Sequence, residues 1–169
     1  MSSLSQKVRP IGRRLVAGVL VAILAIAVLI QFIPYGRAHD NPPALAEPSW
    51  NSSQTRALAA RACFDCHSNQ TSWPWYSNVA PMSWLVQHDV DEGRQKLNYS
   101  EWGTHREQAD EAAEAVREGK MPPRLYLLMH PEATLSDAEK QQLVEGLIAT
   151  LGGEREQGSE HGASSEEDD

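Results

Sequence analysis

The stretch Cys63-Phe64-Asp65-Cys66-His67 contains the only two cysteines of the 169-residue chain, three positions apart, with a histidine directly after the second. This C-x-x-C-H pattern is typical of a c-type haem attachment site. Two thiols at this spacing can add across the two vinyl groups at one edge of a porphyrin. The imidazole that follows then lies beneath the ring and can bind the iron as its proximal ligand. The sequence therefore predicts one haem c, attached covalently through Cys63 and Cys66, with His67 on the iron.

Three other interpretations of the same cysteines remain open. A thiol redox pair requires a reactive thiolate and normally a βαβ context, and no strand pattern lies nearby. A structural zinc site requires four ligands, whereas His88, His105 and His130 are scattered along the chain. A disulfide between cysteines this close would enclose a small, strained loop. These interpretations predict a haem-free thiol or metal-binding module.

A second candidate iron ligand is Met121, in the stretch Gly119-Lys120-Met121-Pro122-Pro123-Arg124. The two prolines restrict the backbone of this loop, so it has little conformational entropy left to lose. A thioether is a soft, neutral ligand that favours ferrous iron and raises the reduction potential. The alternative is that Met121 is an adaptable core residue. The sequence predicts that His67 and Met121 together bind the iron.

A long apolar run precedes the haem motif. Residues 15–33 carry no formal charge, and a helix of this length, at about 1.5 Å per residue, spans the roughly 30 Å hydrocarbon layer. A cleaved signal peptide would have a shorter apolar region with a small-residue cleavage site close behind it. The weak match Ala44-Leu45-Ala46 lies well beyond the run, so we expect an uncleaved transmembrane anchor.

Charge sets the expected orientation of this anchor. Lys7, Arg9, Arg13 and Arg14 lie in residues 1–14, ahead of the span. The positive-inside rule keeps such a flank in the cytoplasm and exports the rest of the chain. For a bacterial protein this predicts a single-pass protein of the inner membrane, with its C-terminal domain in the periplasm. Covalent haem attachment fits that placement, because it takes place on the exported side.

Composition divides the rest of the chain into three parts. Residues 34–52 are rich in proline, which predicts a semi-rigid linker in which His39 is solvated. Residues 53–153 show the periodicity of a small all-α domain, and residues 154–169 have the Glu/Asp/Ser/Gly bias of a disordered tail. The net charge of −8 argues against nucleic acid as a partner. It favours a basic surface on any redox protein partner.

Helix boundaries within the domain follow from capping signals. Helices are predicted to begin near Ser53, near Pro81, and at two capping boxes that start at Thr104 and Ser136. The Thr104 helix has few apolar residues, so we expect it to pack at the surface. The Ser136 helix is predicted to end at Gly152-Gly153 and to close the core against the helix that enters the haem motif.

Several phrases of the sequence resemble the membrane-anchored bacterial haem-binding domain family, over residues from about 41 to 151. These phrases cover residues 66–78, 80–86, 121–123 and 130–136. More broadly, the haem motif, Met121-Pro122 and the terminal capped helix resemble a small class I mono-haem cytochrome c. The resemblance implies an all-α, cytochrome c-like fold around one covalent haem. The Trp-rich insertion between His67 and Met121 departs from ordinary class I proteins, and it leaves His130 as the rival distal ligand.

Taken together, these features predict an electron-transfer protein, not an enzyme. It would be a membrane-anchored mono-haem c-type cytochrome that acts on the exported side of the membrane. Two alternatives from other classes stay open. One is a haem-based gas or redox sensor, or a small haem enzyme, with a labile distal ligand, and the other is the haem-free module described above.

Overall fold

The computed structural model describes residues 11–103 and 109–163 of the chain. These residues are mostly helical and contain no strand, only one isolated parallel bridge between Ala46 and Glu101. The α-helices in chain order are α1 (Ile11–Leu29), α2 (Ser53–Ala62), α3 (Phe64–His67), α4 (Met82–Lys96), α5 (Ala109–Arg117), α6 (Arg124–Met129) and α7 (Asp137–Ala163). Short 3-10 turns cover Ile30–Phe32, Trp75–Asn78 and Pro131–Ala133. The predicted all-α fold class is confirmed.

The N-terminal apolar helix consists of α1 and the 3-10 turn that follows it. Its span Gly12–Phe32 has 21 residues and contains an 18-residue window with a mean hydropathy of 2.9, in which no residue is buried. At about 1.5 Å per residue the span is about 30 Å long, the thickness of a bilayer's hydrocarbon core. Its length and composition suit a membrane anchor or a signal sequence.

The core lies where α2, α5 and α7 meet. Buried aliphatic side chains of the three helices pack together with Phe64 of α3 and with residues of the connection after α4: Leu58, Ala59, Phe64, Leu97, Tyr99, Trp102, Ala113, Val116, Leu143, Val144 and Leu147. As predicted, α7 packs its apolar stripe on α2, the helix that enters the haem motif. The helix that we expected to pack at the surface, α5, buries Ala113 and Val116 against α7 and leaves Glu111, Glu114 and Arg117 exposed on its other face.

Side-chain caps begin two of these helices where the sequence predicts them. Ser52 accepts a hydrogen bond from the Thr55 N–H (3.1 Å) at the start of α2. At the start of α7, Ser136 Oγ accepts from the Glu139 N–H (3.3 Å), while Glu139 Oε2 accepts from the Ser136 N–H (2.9 Å). This reciprocal pair is a capping box. The third predicted cap, at residues 104–107, lies outside the described residues.

The C-terminal helix is longer than predicted. α7 does not end at Gly152-Gly153 but continues to Ala163. A glycine inside a helix costs about 1 kcal/mol relative to alanine, which is too little to end a helix when good helix formers follow. Residues 154–157 are Glu, Arg, Glu and Gln, all of which favour the helix. The part of the predicted disordered tail at residues 154–163 is therefore helical.

The proline-rich segment 34–52 packs along the domain. Its Leu45 N–H donates to Ser100 O (2.8 Å) and its Asn41 side chain donates to Thr71 O (2.9 Å). His39, which we expected to be solvated, stacks on Trp73 with ring centroids 4.7 Å apart. Extended backbone without internal hydrogen bonds needs external partners, and this segment finds them on the domain surface.

Candidate functional site

The two cysteines lie on one helical turn. The Cys63 carbonyl accepts hydrogen bonds from the N–H groups of Cys66 (3.2 Å) and His67 (2.9 Å). Residues three positions apart on such a turn share a face, so the two sulfurs lie on the same side. Both cysteines are free thiols, and both line the same large cavity.

α4 packs closely behind this turn because it carries a glycine at the contact. A Cβ built on Gly93 would lie only 2.3 Å from the carbonyl oxygen of Cys66. At the next residue, Arg94 Nε donates to Ser68 O (2.9 Å), which ties α4 to the end of the motif. Sequence reasoning missed Gly93. Its signal was a glycine inside an otherwise amphipathic helix, which often marks a close packing contact.

The close approach of α4 orients the imidazole of His67. Its Nδ1 lies 3.0 Å from Gly93 O and 3.1 Å from Leu97 O. A carbonyl oxygen only accepts hydrogen bonds, so Nδ1 carries the proton and Nε2 keeps a free lone pair. Burial also lowers the pKa of His67, which favours the neutral imidazole. A neutral, oriented ring with Nε2 free is what a metal ligand requires.

A cavity of about 470 Å³ opens in front of the turn. All four residues predicted from the sequence line it: Cys63, Cys66, His67 and Met121. A smaller cavity of about 90 Å³ lies toward α5 and α7, and Cys63, His67 and Met121 line it as well. The structure therefore brings residues that are far apart in sequence together, and both candidate iron ligands, His67 and Met121, line both cavities.

The end of α5 positions the Met121 loop. Gly119 takes a left-handed conformation (φ +71°) just after α5, which ends at Arg117, and so stops the helix. The N–H groups of Lys120 and Met121 then donate to Ala115 O, at 2.9 and 3.1 Å. Met121 is 39% exposed, so it is not a buried core methionine. Met121 lines the cavity from the loop that follows α5.

Comparison with known proteins gives one family match. Residues 25–149 match a family model described as a haem-binding domain. The chain belongs to this haem-binding domain family. No curated protein and no solved structure matches the chain. The matched region begins within α1 and ends in α7, so it includes the whole cavity and every residue predicted for the site.

The residues of this haem-binding domain fit a haem. The cavity wall is mainly apolar, as suits a large macrocycle, and its aliphatic and thioether side chains are Met82, Leu85, Val86, Val90, Leu125 and Met129. An imidazole Nε2 and a thioether sulfur are both established ligands of haem iron. Cys63 and Cys66 lie at the wall that also carries the imidazole. The roles of these residues as attachment points and ligands stay predictions.

His130, the rival distal ligand, also lines the cavity, but both of its ring nitrogens already have partners. Nδ1 lies 3.2 Å from the carbonyl oxygen of Tyr126, so it carries the proton. Nε2 lies 3.3 Å from the hydroxyl of Tyr76, from which it then accepts a hydrogen bond. Iron binding through Nε2 would break that hydrogen bond. Among the described residues, no hydrogen bond competes for the thioether of Met121, which favours Met121.

A polar cluster that sequence reasoning missed lies at the same wall. Tyr126 donates its hydroxyl to Asp65 Oδ2 (2.7 Å), and Asp65 Oδ1 accepts from the Ser72 N–H (2.9 Å). Burial, and then this contact with Asp65, raises the pKa of Tyr126, which stays protonated as the donor. The Tyr126 ring stacks on His130 with centroids 4.1 Å apart. Nothing in the local sequence pattern links residues 65 and 126, so only the fold could reveal this contact.

The cysteine thiols do not have the character of a redox pair. Burial raises the pKa of Cys63 and of Cys66 to about 12, with a further contribution from the neighbouring sulfur at Cys63 and from Asp89 at Cys66. A reactive thiol has its pKa lowered instead. No three His, Cys, Asp or Glu side chains of the described residues cluster where they could hold a metal ion, as a zinc site would require.

Proposed function

We propose that this haem-binding domain is a mono-haem c-type cytochrome that transfers electrons and catalyses no reaction of its own. Cys63 and Cys66 would each add their S–H across one vinyl group of the haem. A carbon–sulfur bond forms, the proton goes to the neighbouring vinyl carbon, and no oxidant is needed. His67 would bind the iron from one side and Met121 from the other.

The observation that carries this proposal is the meeting of four side chains at one cavity. Cys63, Cys66 and His67 lie on one turn and Met121 lies on a loop after α5, yet all four line the same cavity. The bound haem supplies one-electron chemistry at its iron. The chain would contribute a rigid imidazole, which the carbonyl oxygens of Gly93 and Leu97 hold in place. It would also contribute a neutral thioether, which favours the ferrous state.

Covalent attachment also accounts for the environment of the thiols. A buried thiol with a pKa of about 12 is poorly suited to thiolate chemistry. A thioether carries no charge in any state, so the same burial costs it nothing electrostatically. The site therefore suits sulfur in its alkylated form.

We further propose that the apolar helix is an uncleaved anchor in a bacterial inner membrane and that the domain lies in the periplasm. The basic residues 1–14 and the 21-residue span support this orientation. The partner would be a redox protein with a basic surface, since the chain has a net charge of −8. Nucleic acid is not an expected partner.

Acid–acetone extraction tests the covalent attachment. Haem is expected to remain with the wild-type protein when it is produced with haem-attachment machinery. In the double variant Cys63→Ala/Cys66→Ala, any haem that binds is expected to be extracted completely. Extraction from the wild-type protein would contradict covalent attachment, while haem binding by the domain would still hold.

A specific observation favours a second candidate function, haem-based sensing or a small haem enzyme. Met121 is partly exposed, and the polar cluster of Asp65, Tyr126, His130 and Tyr76 lines the cavity beside it. A distal thioether that leaves the iron would give a gas or peroxide access beside hydrogen-bond donors. Carbon monoxide discriminates the two functions, because a carrier with two firm ligands does not bind it.

A further inference from the structure

Within the uncharged run 15–33, the one polar side chain is Gln31, and it contacts the haem-binding domain. Gln31 Nε2 donates to Ala80 O (2.9 Å), and Gln31 Oε1 accepts from the Ala80 N–H (3.0 Å). The amide thus pairs with both backbone groups of a single residue. Arg37 donates to the same Gln31 Oε1 (3.0 Å) and holds the amide in place. We call this contact the Gln31 latch.

A second contact packs the segment between the anchor and the domain against the start of α4. Gly36, in a left-handed conformation (φ +78°), turns the chain directly against the start of α4. A Cβ at Gly36 would lie 2.1 Å from the carbonyl oxygen of Ser83. Ser83 Oγ also donates to Tyr35 O (3.4 Å). The chain that leaves the span is therefore packed on the domain from its first residues and does not form a loose tether.

The latch places one corner of the domain at the level of the membrane surface. Gln31 is next to the last residue of the span Gly12–Phe32, so it lies within about 3 Å of the end of the helix. Ala80 is hydrogen-bonded to it and must lie at the same level. We call the corner that contains Ala80, residues 75–81, the interfacial corner.

Exposed apolar side chains cover this corner and the chain beside it. Val79 is 45% exposed, and Trp75, at the start of the 3-10 turn that precedes it, is 77% exposed. With about 2 Å of rise per residue in such a turn, Trp75 lies within about 8 Å of Val79. Tyr35, just past the span, is 49% exposed. Tryptophan and tyrosine at this depth are typical of the membrane–water interface.

We infer that the interfacial corner sits in the lipid headgroup layer and that the Gln31 latch fixes the orientation of the domain on the bilayer. The partner surface is a phospholipid bilayer. This inference rests on the proposed membrane anchoring and goes beyond it, because an anchor alone would leave the domain free to turn. Pro74, Tyr76 and Met82, in or beside the corner, line the large cavity, so a haem held there would lie directly behind the membrane-facing surface.

Spin labels on the full-length holoprotein in phospholipid vesicles test the position of the corner. Val79→Cys is labelled in one variant and Ile148→Cys in the matched control, since Ile148 is 49% exposed and lies on α7, outside the corner. The label at 79 is expected to collide more with oxygen than with a water-soluble nickel complex, and the label at 148 is expected to show the reverse. Equal, water-like accessibility at both positions would overturn the inference.

Linear dichroism of the haem bands on oriented bilayers tests the latch. Gln31→Leu keeps the anchor apolar and removes the latch, and Gln141→Leu, an exposed position on α7, is the matched control. The dichroism is expected to fall several-fold in Gln31→Leu and to stay unchanged in Gln141→Leu. Unchanged dichroism in Gln31→Leu would overturn the latch.

Alkaline carbonate extraction separates failure of this inference from failure of the proposed anchoring. If the wild-type protein stays in the membrane but position 79 is water-accessible, only the placement of the interfacial corner in the headgroup layer is contradicted. If carbonate releases the wild-type protein, both the membrane anchor and that placement are contradicted.

Discussion

Two regions of the haem-binding domain are built in opposite ways. The first, which we call the closed wall, is the core of α2, α5 and α7, where aliphatic side chains are buried against each other and Leu58, Leu143 and Leu147 are at most 2% exposed. The open wall carries Leu85, Leu125 and Met129, which line the cavity and are 37%, 58% and 49% exposed. Large apolar side chains exposed together on a soluble surface usually mark a binding site.

This difference indicates that the chain alone completes the closed wall, whereas a bound haem would complete the open wall. The closed wall obtains its burial from the chain. The open wall has apolar side chains without enough chain partners, and a macrocycle in the cavity would bury them. Changes in the closed wall should therefore affect the free energy of unfolding, while changes in the open wall should mainly affect the environment of the iron.

The largest expected effect on stability comes from Leu143→Ala in the closed wall. Leu143 is fully buried, and removing such a side chain leaves a cavity that costs about 2–5 kcal/mol of unfolding free energy. The matched control is Ile148→Ala on the same helix, whose side chain is 49% exposed and should cost much less. Urea denaturation of the holoprotein, followed by circular dichroism, measures both. Equal losses in the two variants would contradict the distinction between the walls.

The next largest effect is expected for Gly93→Ala, where α4 meets the haem motif. The added methyl group would lie 2.3 Å from Cys66 O, and overpacking of this kind costs about 1–3 kcal/mol. The matched control is Gly103→Ala, where a Cβ would have no neighbour within 4 Å among the residues that the structure describes.

Gly93→Ala should also move His67, because Gly93 O is one of the two carbonyls that hold its Nδ1. We therefore expect a shifted haem absorbance spectrum in that variant as well as a lower urea midpoint. A variant with the stability and spectrum of Gly103→Ala would show that the close contact between α4 and the motif does not exist.

In the open wall, Met121→Ala should change stability by less than about 1 kcal/mol, because the side chain is partly exposed. It should lower the reduction potential and let carbon monoxide bind the ferrous iron, because a soft, neutral ligand has been removed. Met129→Ala, in the same wall, is the matched control and should leave both properties unchanged. If Met129→Ala behaves like Met121→Ala, the distal ligand is not Met121.

The smallest effect is expected at the exposed start of α7, where acid should remove the capping box. Hydrogen bonds from the Ser136 backbone, and then from Arg61 and the Ser136 side chain, lower the pKa of Glu139 from 4.5 to about 2. Because the folded-state pKa is the lower one, the stabilisation is present above pH 4.5 and is lost as the pH falls toward 2. Glu139→Gln should flatten the pH dependence of the urea midpoint over this range. An identical pH dependence in wild type and variant would argue against this cap.

The sequence predicts those features of the molecule that depend on short-range patterns. The haem motif, the caps at Ser52 and Ser136 and the apolar stripe of α7 all follow from spacings of a few residues, and the structure shows the caps and the stripe in place. The apolar N-terminal helix follows from composition alone in the same way.

What the sequence could not predict depends on contacts between distant segments. Gly93 matters because Cys66 packs on it, and Tyr126 matters because Asp65 accepts its hydroxyl. The packing of α5 on α7 is also a long-range contact. α7 passes through Gly152-Gly153 because the helix formers after them outweigh a local stop signal. The identity of a single residue does not show which distant residue it contacts in the fold.

The central claim is a covalently attached haem with two protein ligands, and one experiment tests it most directly. The absorbance spectrum of the reduced full-length holoprotein is recorded before and after carbon monoxide is added, and the protein is then extracted with acid–acetone. The account predicts a low-spin spectrum that carbon monoxide leaves unchanged, and haem that stays with the protein. Rapid carbon monoxide binding would contradict the second ligand, and colourless protein after extraction would contradict the covalent attachment.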